Sequence, residues 1–446
     1  MKPCSTKRWL GRSLQVLYMA IIALPPTLQA DDAAEILERL NQLEKQNQYL
    51  LNLVTEQQTE LDRLKSQLDQ VDEQSAQQSE EIAELQDVAD ELPDLSSRST
   101  EPSRVHISGQ AGVIFRAAES RTNFPNEEFR VDEALIALEA QVHEGIYLVT
   151  QLELYSRESR NSDVELRELF VEFEDLLDNN TLSVRAGRMQ IPFGEEYQYR
   201  YVMENPLINH SVSDFWGLDE GLEAYGQVGD VSYIAAIMNG SHDFLRDFDS
   251  SKSLVGRISY DPTHRLHLSG SVMRTGTIDV EDESLTELWF GNAFFRSIGS
   301  EATTEFHVDL AQLDANYSWG DGYLAAAYGK AWYDDNDPFA NNRRTLDFWQ
   351  IEAQQALVGD SLFAALRYSG MDADKGYPVS GMAARGPYFF GPIKTTELRR
   401  LSFGFTYWPY PDLVLKLDYT LENGEHTHGS KRKDTDMLAA EIGARF

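Results

Sequence analysis

The stretch Val105-His-Ile-Ser-Gly-Gln-Ala-Gly-Val-Ile-Phe-Arg116 decides the fold. Val105, Ile107, Gly109, Ala111, Val113 and Phe115 alternate with mostly polar neighbours. A period of two is that of a strand with one apolar and one polar face. The pattern returns at the far end, where Leu438, Ala440, Ile442, Ala444 and Phe446 form an apolar face that runs to the last residue. Chain ends normally fray, so a terminal strand closing on an aromatic residue is expected of an outer-membrane barrel rather than a soluble protein. Between these stretches the sequence predicts an all-β transmembrane barrel of about sixteen antiparallel strands over 104–446, at roughly twenty residues per strand plus connection.

The connections alternate in length. Short turns are expected at His143-Glu144-Gly145, Asp175 to Asn180, Gly226 to Asp230, Asp261 to Arg265, Gly320-Asp321-Gly322, Gly359-Asp360 and Pro409 to Asp412. They carry the Gly, Pro, Asn and Asp that tight hairpins require. The intervening connections are long and polar. Short turns on one rim and long loops on the other are the outer-membrane arrangement, with the short turns in the periplasm. An even strand number then returns the C-terminus to the periplasmic side. A propeller or solenoid would show an internal repeat with a sequence signature, and none is found.

Upstream of the barrel the period changes from two to seven. Ile36, Leu43, Leu50, Leu64, Val71, Leu85 and Leu92 occupy d positions, with Leu40, Val54, Leu61, Leu68, Ile82 and Ala89 at a. The register holds for roughly eight heptads and predicts a coiled coil over 31–92, a rod about 85 Å long. Asn47, Gln57, Ser75 and Gln78 interrupt the apolar seam, as residues that fix register and strand number do. Pro93 ends the helix, and 93–103 is a polar linker. Residues 1–30 read as a signal peptide: Lys2, Lys7, Arg8 and Arg12, an apolar run from Leu14 to Leu24, and Leu28-Gln29-Ala30 before the cut. Cys4, the only cysteine, lies inside it, so the exported chain would hold no disulfide.

The formal net charge of −34 excludes nucleic acid as a natural partner. Beyond the leader no apolar run is long enough for a transmembrane helix. An acidic exported chain with 20 Tyr, 21 Phe and 7 Trp instead spreads its apolar surface over alternate residues. Outer-membrane lipid is the partner that this implies.

The segment 181–226 has a more specific pattern. Gly187, then Pro192-Phe193-Gly194-Glu195, then Met203-Glu204-Asn205-Pro206, then Gly217 and Gly221 stand in an order that resembles the phosphate-selective porin O and P family of outer-membrane porins. Val164 to Glu174, with Arg167 and Phe170, resembles the strand before this motif. The resemblance extends loosely over 104–446. The coiled coil is an addition to it. It implies a homotrimer of sixteen-stranded barrels, each with a third loop folded into the lumen as a constriction, here 189–220. It also implies an anion path lined by arginine and lysine. The family's Glu-Arg-Pro is Glu204-Asn205-Pro206 here, so that arginine is missing. Past Arg188 at its entrance, the loop has Arg200 as its only Lys or Arg, against Glu195, Glu196, Glu204, Asp214, Asp219 and Glu220.

Strand parity indicates the pore lining, because a charge facing lipid at mid-depth costs about 2–4 kcal/mol. Leu182, Val184 and Ala186 turn out, which turns Arg185 in; Leu362, Ala364 and Leu366 do the same for Arg367. Leu401, Phe403 and Phe405 place Arg400 inward, and Leu413, Leu415 and Leu417 place Lys416 and Asp418 inward. The same rule assigns Arg116, Arg257, Glu168, Glu172, Glu352, Glu441 and Arg445 to the lumen. Opposed acids and bases would set a transverse field that favours small polar solutes. In the loop, Tyr197, Tyr199, Tyr201, Phe215 and Trp216 either line a passage or wedge the loop against the wall. Tyr407, Trp408 and Tyr410 sit where an interfacial aromatic girdle would fall.

Other chemistry is thin. His426-Thr427-His428 has no third ligand nearby and reads as a solvated loop. No triad or phosphate-cradling glycine loop is found, so neither catalysis nor a cofactor is expected. The leading expectation is passive diffusion of small polar or anionic solutes, phosphate or related anions included. The alternative is a structural tether, with the rod spacing the outer membrane from the cell wall or docking on a periplasmic partner.

Overall fold

The computed structural model describes residues 104–118, 127–155, 164–177, 179–214, 217–240, 250–279, 302–377, 379, 394–432 and 435–446. The expected signal peptide, coiled coil and linker lie outside these residues, as do Phe215 and Trp216.

The strands follow one another round a closed, antiparallel sheet. They are β1 (Val105–Ala118), β2 (Glu128–His143), β3 (Ile146–Tyr155), β4 (Glu165–Leu177), β5 (Leu182–Gln190), β6 (Leu218–Val228), β7 (Val231–Met238), β8 (Ser253–Thr263) and β9 (Leu266–Arg274). The two-residue β10 (Ile278–Asp279) precedes β11 (Glu305–Trp319), β12 (Gly322–Asp335), β13 (Arg344–Val358), β14 (Leu362–Tyr377), β15 (Thr395–Tyr410), β16 (Leu413–His426) and β17 (Thr435–Arg445). Both β9 and β10 pair with β11, so β10 is a short continuation of β9 and the wall has sixteen strands. The last strand pairs with the first, Val113 opposite Ile442, and closes the barrel without an exposed edge.

One rim carries short turns. Between β4 and β5, Asn179 and Asn180 both take positive φ (69° and 56°), a conformation that Asn tolerates better than other non-glycine residues. The other rim carries the long connections. Phe446 exchanges backbone hydrogen bonds with Gly109 (3.0 and 3.1 Å), so the C-terminal residue is paired into the sheet at the short-turn rim.

Strand faces follow the parity argument over the short-turn half of the wall. Leu366, Phe403, Phe405, Leu417, Leu438 and Ile442 are exposed outward, while Arg367, Arg400, Ser402, Lys416, Asp418 and Glu441 are buried inside. Toward the loop rim of β11–β15 the faces invert. On β11, Leu313 points out and is 69 % exposed, whereas Phe306, Val308 and Leu310 point in and are buried. Tyr333 of β12, Leu346 and Phe348 of β13, Met371 of β14 and Leu398 of β15 join them in one inward apolar cluster. A single parity for each whole strand could not show this, since the apolar set changes sides partway along.

Candidate functional site: the lumen and its in-folded loop

The connection between β5 and β6 runs from 191 to 217. The expected bounds of 189–220 were wider, because Met189 and Gln190 still pair in β5 and Leu218, Asp219 and Glu220 already pair in β6. Arg188, expected at the loop entrance, is a β5 residue ion-paired with Glu220 at 2.5 Å. The loop crosses the lumen and is bonded to inward side chains of many strands.

Its entry is set by Pro192-Phe193-Gly194. Phe193 is buried in the inner apolar cluster with Ile191 and Val212. Gly194 has φ +69°, a conformation that glycine adopts without strain, and a Cβ there would push on the Gln312 amide, 2.6 Å from its Nε2. Its N–H donates to Oγ of Ser271 on β9 (3.0 Å), and its carbonyl accepts from Arg257 on β8 (2.7 Å). A short 3-10 helix, Glu196–Tyr199, follows.

The middle of the loop lies against β1, β16 and β17. Val202 donates its N–H to Glu133 (3.0 Å), and Lys416 donates to the Val202 carbonyl while pairing with Glu441 at 3.5 Å. Val202, Met203 and Val414 pack together, with Trp408 against them. The wall makes room with glycine: a Cβ on Gly443 would come within 2.7 Å of the Val202 side chain, and one on Gly112 within 3.0 Å. Trp408 is thus part of the loop's seat. The expected girdle keeps Tyr407 and Tyr410, which are exposed beside the short turn.

Between Pro206 and Val212 several backbone N–H and carbonyl groups are bonded by wall side chains. Arg367 donates to the Asn209 carbonyl (2.7 Å) and to Oδ1 of Asn205 (2.9 Å), with Glu352 paired to it from below. Asn205, which stands where the resemblance would have an arginine, is therefore the acceptor for a wall arginine. Arg400 donates to the His210 carbonyl (2.9 Å) and pairs with Glu422 (2.6 Å). Asp418 accepts the N–H groups of Ile208 and Asn209 (3.1 and 3.3 Å). Thr406 donates to the Pro206 carbonyl (2.8 Å), and Ser369 accepts from Val212 (2.9 Å).

The acidic residues of the loop are mostly paired. Glu195 faces Arg257 (3.7 Å) and His267 (3.3 Å). Asp214 meets Arg200 (3.1 Å) and His210 (2.8 Å). Burial alone would raise its pKa, but the charges of Arg200 and His210 override this and hold it below the usual carboxylate range. Glu196 accepts from the Ser211 hydroxyl (2.6 Å) and N–H (3.2 Å). Burial, with the like charge of Asp214 added, pushes it up to about 7. Glu204 is exposed.

The remaining expected lining residues divide. Arg116 is buried against Asp132 (3.4 Å). Arg445 is at the short-turn rim, exposed beside Asp412 (3.2 Å). Glu168 lies at a bulge in β4, where Arg167 also turns inward. Arg185 is 34 % exposed, paired with Glu172 (2.9 Å) and Glu223 (3.4 Å), and stacked 4.6 Å over the Tyr225 ring. Tyr225, on which it stacks, lines a cavity of about 530 Å³ together with Ser183, Ser232, Arg257, Ser259 and the acidic Glu174 and Asp175.

Sequence reasoning missed Glu153, Arg167 and Glu422. Glu422 is readable, since it shares parity with Lys416, Asp418 and Thr420. Arg167, which pairs with Glu153 and donates to the Tyr201 hydroxyl (3.0 Å), is not, because a bulge opposite Gln151 and Leu152 shifts its face. Tyr201 and Tyr197 both bond wall arginines and so wedge the loop. Among the described residues, no group of three or more His, Cys, Asp or Glu is placed to hold a metal ion.

No family model matches the chain, and no curated protein matches it by sequence. Solved structures share the fold. The outer membrane channel DcaP of Acinetobacter baumannii has a TM-score of 0.53 at 12% identity, over 77% of this chain and 97% of that one. OprB of Pseudomonas putida has 0.52 at 8%, over 77% and 94%. An anion-selective porin from Comamonas acidovorans has 0.51 at 11%, over 77% and 100%. The described residues form a sixteen-stranded barrel with the fold of these solved porins.

Proposed function

We propose that the chain is an outer-membrane porin for passive diffusion of small polar or anionic solutes. The observation that carries this reading is a closed barrel, apolar outside, whose lumen is narrowed by an inward loop beside a polar cavity. An aqueous path narrowed by a loop selects by width and by the charges left accessible.

Those charges are few. Arg257, Arg367, Arg400 and Lys416 are directed at loop carbonyls or neighbouring acids. Arg257 lines the cavity while held by the loop, and Arg185, 34 % exposed and stacked on the cavity-lining Tyr225, has three acids, Glu172, Glu223 and Glu174, around it. This supports weak selectivity among small polar solutes. Preference for phosphate or related anions is the finer reading, and it rests on the resemblance around 181–226. Homotrimeric assembly and a periplasmic rod over 31–92 belong to the same proposal.

Reversal potential under a salt gradient in a planar bilayer, with phosphate as competitor, is the test. A potential near zero and no phosphate block support weak selectivity. Strong anion preference blocked by phosphate restores the phosphate reading, and an absence of conductance steps overturns the porin. The heptad run favours a second role as a tether: deleting 31–92 should then weaken the cell envelope and leave conductance intact.

A further inference from the structure

The inversion of faces along β11–β15 leaves a band of charges on the outside of the barrel. Asp309 of β11 faces Arg274 of β9 (3.7 Å), Lys330 of β12 pairs with Asp347 of β13 (3.1 Å), and Asp372 of β14 pairs with Arg399 of β15 (2.6 Å). The register makes the last two pairs neighbours, since Asp347 stands opposite Asp372. Aromatic side chains lie just below and are tied to the charges. Tyr328 donates to Asp347 (2.5 Å), Arg399 lies 5.5 Å over the Trp349 ring, and Trp349 meets Tyr368 edge-on at 5.0 Å.

Height identifies the band. Leu362 is the first residue of β14, at the short-turn rim, and Asp372 is ten residues further along. At about 3.3 Å per residue and a tilt of ~40°, that is a vertical distance of about 25 Å, the height of the apolar belt of an outer-membrane barrel. Below the band the outward residues are apolar. Above it Asp334 pairs with Arg343 at the surface, and apolar side chains fill the interior, as in a protein standing in water. On β1 and β2 there is no such inversion: Phe115 and Phe129 stack with centroids 4.9 Å apart, and Phe129 is 79 % exposed near the loop rim.

We propose that the outer face of β9–β15 meets the phosphate-bearing headgroup layer of the bilayer at Arg274, Asp309, Lys330, Asp347, Asp372 and Arg399. The loop half of this wall stands clear of the hydrocarbon, while the β1–β2 wall stays apolar to its rim. Charged groups need hydration or counter-charges, and aromatic rings with one polar end settle at the interface beneath them. This rests on the membrane location proposed above.

The test uses nitroxide labels on single cysteines at Leu313, Ile351, Asp309, Asp372 and Asp334, in a Cys4→Ser chain reconstituted into phosphatidylethanolamine–phosphatidylglycerol vesicles. Collision rates with oxygen and with a water-soluble nickel complex report depth. Leu313 and Ile351 should be dominated by oxygen, Asp309 and Asp372 should fall at the crossover, and Asp334 should be dominated by nickel. Asp309 and Asp372 lie on different strands, so either reads the level if the other variant fails to fold. Oxygen dominance at both overturns the proposal, as does shielding from both reagents, the mark of a covering protein. If Leu313 and Ile351 are also dominated by nickel, the membrane location itself is wrong.

Discussion

The inner faces of β14–β17 and of β5–β8 are both polar, yet they are used differently. On β14–β17, Arg367, Arg400, Lys416, Asp418 and Glu441 are almost completely buried, each bonded to the loop or to a partner that holds it there. On β5–β8, Ser183, Tyr225, Ser232 and Ser259 border open space, and Arg185, stacked on Tyr225, stays one-third exposed. Charge on an inner wall is therefore not by itself a selectivity device. On β14–β17 it fastens the loop, whereas on β5–β8 Arg257 holds the loop entry and Arg185 stays partly open, and the difference lies in what the loop covers.

The largest expected effect comes from breaking the first region. Arg367→Ala leaves the buried Glu352 charge without its cation and removes the donor to the Asn209 carbonyl and to Asn205. Removing one partner of a buried pair costs about 3–5 kcal/mol, so thermal unfolding in detergent should fall by several degrees and protease should cut the loop between Tyr199 and Ser211. Gly443→Val should act more locally. The added side chain meets Val202, and overpacking costs about 1–3 kcal/mol. The loop's central turn should lift, seen as increased labelling of a cysteine placed at the buried Met203.

Acidity sharpens the comparison at smaller cost. Glu196 titrates near 7 in the folded loop against an unfolded value near 4.5, so its contribution to loop stability is complete below the unfolded value and lost as pH rises through about 7. Asp214 shifts the other way and supports the loop throughout the neutral range. Loop cleavage should rise between pH 5 and pH 8, and Glu196→Gln should flatten that rise. The smallest structural effect belongs to the second region. Arg185→Gln should change stability by less than about 1 kcal/mol, because its partly solvated pairs contribute little, yet it should move the reversal potential toward cation preference.

How much of this was legible follows from the same contrast. Arg367, Arg400, Lys416 and Asp418, which strand parity turns inward, are buried, and leucine and phenylalanine mark the other face of β14, β15 and β16. Parity could not say whether an inward charge meets solute or loop, since that depends on contacts as distant as Lys416 with Val202. It also failed where the period breaks: at the β4 bulge that turns Arg167 inward, and along β11, where Phe306, Val308 and Leu310 face in above a lower half that faces out. The Pro192-Phe193-Gly194 motif was visible, and its reason, a left-handed glycine against Gln312, needed the fold.

The most direct test of the account is single-channel conductance of a chain whose latch is replaced without stranding charge, Arg367→Met with Glu352→Met and Arg400→Met with Glu422→Met. Exchanging buried pairs for apolar side chains of similar volume spares the fold while removing two donors to the loop carbonyls. Larger and noisier steps than in the unaltered barrel are expected, with thermal stability retained. Steps of unchanged size from a folded variant would contradict this, and would mean that the loop does not depend on these wall charges for its place across the lumen.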